Sequence, residues 1–363
     1  MPIAILAAVA SRPRLRRAIV ALALPAAFAP AALSAQRASY SSVTFFGDSY
    51  VDTGNALILT NGANPAPPYA PGRFSNGLVL TDYIAQGLNR PGDAAPAFAT
   101  GLIPGGSFGA SGNYAVGGAR TDSPQVGTAS QIGAYLTRAG ATPTTRTDPN
   151  GLYVLFVGGN DLRDIAATNT TPDLRNAQAA AAAQRVITQA SQLGAAGARN
   201  ILLFTLPSLA ATPEAQAIPG RPAISDAVTA TFNNALLAGI GGLQSGLPGT
   251  SILNFRLDNL WTNILLDARS GGQMYGLTNL TVPCLPGLPL SVPNPPPCAS
   301  AVFADAIHPT TRVHQLIGQS VVTYVTTGQN VAVIPEPSTV LLFGVGAATL
   351  AGAAYRRRRD RAA

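Results

Sequence analysis

Six consecutive apolar residues, Leu152-Tyr153-Val154-Leu155-Phe156-Val157, run straight into Gly158-Gly159-Asn160-Asp161. Successive side chains of a strand point to opposite faces, so a run with no polar position needs cover on both. Mostly apolar runs of strand length recur at 43–46, 200–206 and 251–255, each with one or two polar residues. Longer Ala- and Leu-rich stretches at 173–194 and 226–243 have the length and spacing of helices. Buried strands separated by helices indicate parallel β-structure, since each parallel pair needs a crossover that covers one face. The expected class is therefore α/β, a three-layer α/β/α arrangement around a mainly parallel sheet. Residues 60–112 are rich in Gly and Pro and read as loop-dominated, the kind of segment that builds pockets above a rigid sheet.

Reactive groups in such a sheet gather beyond the carboxyl ends of the strands. Two polar clusters fall there: Gly47-Asp48-Ser49 after the first run, and Gly158-Gly159-Asn160-Asp161 after the second. The chain has only two histidines, and one of them, His308, follows Asp305 by three positions. A serine on a strand-to-helix turn, with a late Asp/His pair, is the minimum set for acyl transfer: the hydroxyl needs a base, and the base an orienting carboxylate. The three-residue separation lets one helical turn or tight loop carry both Asp305 and His308. His314 has no partner in the sequence and reads as structural. Asp48, Asp52 and Asn55 are expected to satisfy backbone donors around the serine turn, and Asp161 and Asp164 to accept local hydrogen bonds.

The two ends read as addresses rather than fold. Residues 1–35 carry Arg12, Arg14, Arg16 and Arg17, then an apolar stretch, then Leu33-Ser34-Ala35, the order of a secretory signal peptide. A first transmembrane helix is the alternative. Residues 331–363 run Pro335-Glu336-Pro337, eighteen apolar or small residues and an arginine cluster, long enough to span a membrane with the arginines on the cytoplasmic side. This tail resembles the PEP-CTERM sorting signal of Gram-negative exporters, which implies export machinery and a sorting protease as partners. A plain membrane anchor predicts the same topology. Between the ends, residues 36–330 are long enough for one large domain.

The net charge of +7 belongs to those ends. Without the nine arginines, Glu336 and Asp360 of leader and tail, 14 arginines face 14 acids, which gives no warrant for nucleic-acid binding. The chain contains no lysine, which excludes Schiff-base and Ser-Lys mechanisms. Cys284 and Cys298 flank a proline-rich segment, and in an exported chain an even pair suggests a disulfide, worth roughly 3 kcal/mol for such a loop. Two thiols without a nearby histidine do not fill a tetrahedral shell, so neither metal nor cofactor is expected.

The motifs, taken in order, resemble the GDSL esterases/lipases of the SGNH hydrolase superfamily. The first block is Phe46-Gly47-Asp48-Ser49-Tyr50-Val51-Asp52-Thr53-Gly54-Asn55, with Tyr50 where leucine is usual. The second is Asn113-Tyr114-Ala115-Val116-Gly117-Gly118-Ala119, the third Gly158-Gly159-Asn160-Asp161, and the last Asp305 with His308. Gly72-Arg73-Phe74-Ser75-Asn76-Gly77 is a supporting match. The resemblance implies a flavodoxin-like α/β/α fold, Ser49 as nucleophile and His308 with Asp305 as its base. It implies an oxyanion hole from the Ser49 and Gly118 N–H groups and the Asn160 amide. Lipids, short acyl esters and acylated polysaccharides are all admissible substrates. Acyl transfer is the neighbouring alternative, and a non-catalytic carbohydrate-binding or adhesion protein on the same fold the more distant one.

Overall fold

Each of the four apolar runs is a strand: β1 (Val43–Gly47), β3 (Leu152–Phe156), β4 (Asn200–Phe204) and β5 (Ser251–Phe255). A fifth, β2 (Gly112–Asn113), is only two residues long and escaped the sequence pattern because it has no apolar run of its own. The sheet is ordered β2-β1-β3-β4-β5 and every pairing is parallel. The computed structural model describes residues 39–99, 112–138, 141–287 apart from 143, 145 and 169, and 295–329. The leader at 1–35 and the tail at 331–363 lie outside the described residues. No described helix is long and apolar enough to cross a membrane.

The burial that the apolar runs demanded is supplied by helices. All five residues of β3 are at most 2% exposed, and residues 201–203 of β4 are fully buried. One layer contains α3 (Thr128–Leu136), α4 (Gly159–Ala167), α5 (Pro172–Ala195) and α7 (Arg221–Gly246), with α5 and α7 lying along each other. The other contains α2 (Leu80–Gly87) packed on α9 (Thr311–Thr327). Two short helices, α1 (Asn55–Leu59) and α6 (Pro213–Gln216), and the longer α8 (Leu257–Arg269) complete the set.

Local chemistry explains where α5 starts and how closely it packs. Thr171 caps α5 by accepting from the Leu174 N–H, and Pro172 occupies the first helical position, where its missing N–H costs nothing. Ala179, Ala182, Ala183 and Ala190 are all fully buried, and these small side chains let α5 approach its neighbours closely. The strands expected at 152–157 and 200–206 end one and two residues early, at Phe156 and Phe204. The loop-dominated segment 60–112 is not all loop, since it contributes α2, whose Asp82 accepts from the Val79 N–H and pairs with Arg73.

Cys284 and Cys298 are joined by a disulfide, and Tyr69 packs against the small apolar cluster around them.

Candidate active site

The register of β1 against β3 pairs Gly47 with Phe156, so both strands end at the same level. The polar clusters that follow them therefore emerge side by side. Gly47 has φ +156, and a Cβ there would lie 2.1 Å from the Phe156 carbonyl oxygen. Only glycine lets the chain turn that close to its neighbouring strand. The turn is closed by the Val51 and Asp52 N–H groups donating to Asp48 O at 3.1 and 2.9 Å. Ser49 sits at its apex, 6% exposed.

Asp305 and His308 arrive from the far end of the chain in a tight loop rather than a helical turn. Asp305 Oδ1 accepts from the backbone N–H groups of Ile307 and His308 at 2.8 and 2.6 Å, which fixes the loop shape with one carboxylate oxygen. Oδ2 is left for the imidazole, 2.6 Å from His308 Nδ1. A carboxylate acceptor at Nδ1 requires the ring proton there, which frees Nε2 to accept from Ser49 Oγ at 2.8 Å. Burial pushes the Asp305 carboxyl up, but the His308 ring and N–H together with the Tyr69 hydroxyl hold it below the usual carboxylate range.

Tyr69 is the main site residue that sequence reasoning missed: its hydroxyl donates to Asp305 Oδ2. Nothing but its nearness to the Gly72–Gly77 block marked it. That block has a direct structural task. Ser75 Oγ donates to Pro309 O at 2.9 Å, and Asn76 Oδ1 accepts from the Thr311 N–H at 2.9 Å, so the block straps the segment that carries His308. The Phe74 ring lies 5.4 Å from the His308 ring, centroid to centroid.

The remaining candidates surround the serine turn. Asp52 accepts four backbone N–H groups, those of Gly54, Asn55, Ala56 and Gly117, and so ties the Ser49 turn to the glycine pair before Ala119. Asn55 does more than satisfy a donor: its amide gives both hydrogens to Asn113 O and Ala115 O while its oxygen accepts from the Phe98 N–H. Asn160 lies in the first turn of α4 and gives one amide hydrogen to Ala119 O at 3.0 Å. The backbone N–H groups of Ser49 and Gly118 have no hydrogen-bond partner among the described residues. Asp161 and Asp164 are not local acceptors: Asp161 binds the Thr121 N–H and hydroxyl, and Asp164 binds Arg120, both across the sheet end.

Asp48 is buried and, among the described residues, its carboxylate accepts only from the Tyr50 N–H, at 3.1 Å. Burial pushes its carboxyl up to about 7, against the pull of that N–H and of His308. The folded chain thus keeps a proton that the unfolded chain releases near pH 4, and stability present below that pH is lost as pH rises to about 7. Asp48→Asn is neutral throughout and keeps the acceptor for Tyr50. Its stability relative to the parent should rise by about 3 kcal/mol between pH 5 and pH 8, read as the difference in urea unfolding free energy. A difference that stays flat with pH rules out the buried proton.

Ser49, Asn160 and His308 share a cleft of about 510 Å³ with Arg163, Leu209 and Glu214 among its walls. Gly118 stands outside that lining.

Residues 43–321 match the GDSL-like lipase/acylhydrolase family model, and residues 333–359 match the PEP-CTERM protein-sorting motif. A Pseudomonas putida protein from the trpE-trpG intergenic region is 27% identical over 89% of this chain, which spans 54% of that longer relative. A phosphatidylcholine-sterol acyltransferase of Aeromonas hydrophila is 26% identical, covering 80% of this chain and 91% of its own. An extracellular lipase of Streptomyces rimosus aligns in structure over 79% of this chain and 99% of that one, at 17% identity and a TM-score of 0.36. With a matched region that reaches from β1 into α9, the chain belongs to the GDSL lipase/acylhydrolase family, a family of ester-cleaving enzymes, and carries a PEP-CTERM motif behind that domain.

Proposed function

We propose that the protein is an exported serine esterase that cleaves carboxylic esters through an acyl-enzyme on Ser49. His308 Nε2 takes the Ser49 proton as Oγ attacks the ester carbonyl, and then delivers it to the leaving alcohol oxygen. Asp305 keeps the Nδ1 proton in place and stabilises the imidazolium. The carbonyl oxygen gains negative charge in the tetrahedral intermediate and is met by the Ser49 and Gly118 N–H groups and the free Asn160 amide hydrogen. Water, activated by the same His308, then releases the acid. The observation that carries this reading is the continuous relay Ser49 Oγ to His308 Nε2, 2.8 Å, and His308 Nδ1 to Asp305 Oδ2, 2.6 Å. The unbonded N–H groups beside it are its second support.

Transfer of the acyl group to an acceptor other than water uses the same intermediate, and the Aeromonas relative named for acyl transfer favours it as the second reading. The PEP-CTERM motif indicates export in a Gram-negative bacterium toward the envelope or surface. We read residues 1–35 as the signal peptide and the tail as the substrate of a sorting protease, with acylated polysaccharide or lipid esters within reach at that location.

A fluorophosphonate probe tests the assignment directly. It is expected to label one peptide, that containing Ser49, with the same yield with and without a chelator. Labelling elsewhere, or none under conditions where the protein cleaves esters, removes Ser49 from the mechanism.

A further inference from the structure

Two hollows meet at His308 and Ile307. The first, of about 510 Å³, contains Ser49 and Asn160; the second, of about 570 Å³, contains Asn64, Tyr69 and Phe74 and neither of those two. The Arg163–Glu214 ion pair lines both and marks their border. Glu214 is also tied to the catalytic loop, its N–H donating to Ala306 O at 3.0 Å.

On the reading of Ser49 as nucleophile, this division orients the substrate. The carbonyl carbon has to meet Ser49 Oγ and its oxygen has to face Asn160, so the carbonyl lies in the first hollow. The leaving oxygen has to reach His308 Nε2, the group both hollows share. The alcohol therefore departs toward Tyr69 and Asn64, and the acyl chain runs the other way.

In that direction the first hollow adjoins a third, narrow one, walled by Phe156, Leu162, Leu206 and Pro207. The two share Asp48, Tyr50, Gly159 and Leu209. Tyr50 is fixed as a wall: its ring stacks on Phe156 with centroids 5.2 Å apart. Leu209 is half-buried on a single 3-10 turn, Leu209–Ala211, and is the shared wall residue on the least regular backbone. Asp48 at the junction is largely protonated up to about neutral pH, so it sets no full charge against a hydrocarbon chain. An acetyl methyl extends one bond from the carbonyl carbon and stays beside Ser49, which does not line the third hollow.

We propose that the apolar extension beneath Ser49 binds the acyl chain, that Leu209 sets its usable depth, and that the preferred substrates are esters of medium-length straight-chain acids rather than acetates.

The test is a chain-length profile of the full-length protein on p-nitrophenyl acetate, butyrate, octanoate and palmitate. We expect kcat/KM for octanoate to exceed that for acetate by at least about tenfold. Leu209→Trp should lower the octanoate-to-acetate ratio at least about tenfold, and Leu209→Ala should move the optimum toward palmitate. Exposed Leu266→Trp on α8 serves as the control and should leave the profile as it is. Should the tryptophan variant fail to fold, the alanine variant still reads the opposite shift. Acetate preference with Ser49 labelled by fluorophosphonate, or a ratio indifferent to both Leu209 changes, overturns the acyl-channel proposal alone. No turnover of any ester together with an unlabelled Ser49 overturns the nucleophile assignment and this proposal with it.

Discussion

Ser49→Ala is expected to lower ester turnover by a factor of at least about 10⁴ while leaving the unfolding transition in place. On the proposed mechanism the hydroxyl is the atom that becomes bonded to the acyl group, so no neighbour replaces it. The residual rate should come only from binding and from the N–H groups around the oxyanion. Asp305→Asn offers a sharper test of the relay, with an expected loss of about 10⁴ in kcat. An amide at this position can present its NH₂ to Nδ1, which moves the ring proton to Nε2 and turns the base into a donor facing Ser49. Its backbone bonds to Ile307 and His308 can persist through the amide oxygen, so the loop stays shaped while the tautomer is wrong. Steady-state kinetics on p-nitrophenyl octanoate, with circular dichroism melts as the folding control, read both effects. Ser49→Ala activity within about tenfold of the parent would falsify the acyl-enzyme mechanism.

The second large effect concerns His314. This residue on α9 is 0% exposed, and neither ring nitrogen has a hydrogen-bond partner among the described residues. It lies under the Tyr50 ring, edge-on, with centroids 5.6 Å apart. Burial, and then the nearby His308, push its pKa down to about 3. The folded chain therefore refuses a proton that the unfolded chain accepts below pH 6.5. Stability is fully present above that pH and is lost as pH falls toward 3. At pH 4 the loss reaches about 3 kcal/mol, at roughly 1.4 kcal/mol per pH unit. His314→Leu cannot take up a proton and removes two unbonded polar atoms, so it should match or exceed the parent at pH 8. The gap should widen in its favour toward pH 4, measured as the difference in Tm or in urea midpoint between the two proteins. Carboxylates that titrate in the same range act on both and cancel in the comparison. A gap of equal size at pH 4.5 and pH 8 shows that His314 is not the buried base.

The sequence reading of His314 as structural rested on its lack of a partner, and the structure sharpens this into an imidazole without a hydrogen bond among the described residues. Four of the five strands were legible because the demand for two-sided burial is local, although two of them end one or two residues before the expected position. Tyr69 was not legible, since a tyrosine in a Gly/Pro-rich stretch has no periodicity and only the path of that loop brings it to Asp305. The same holds for Arg163 and Glu214, which sit 51 positions apart and pair only because α4 and α6 flank one cleft. Asp161 and Asp164 show the opposite error. Next to a glycine pair they look like turn residues, yet their partners come from the segment at Arg120 and Thr121.

By itself the amino-acid order determined the class of fold, the serine turn and the placing of Asp305 and His308 on one short segment. Each of these depends on neighbours within a few residues, through strand burial, glycine φ and the carboxylate that closes its own loop. The tertiary structure alone decided that Ser49 and His308 stand 2.8 Å apart, which hollow lies on which side of them, and how much space an acyl group finds. Those distances are set by packing between segments hundreds of positions apart. No short-range pattern encodes them, because they depend on how whole layers dock.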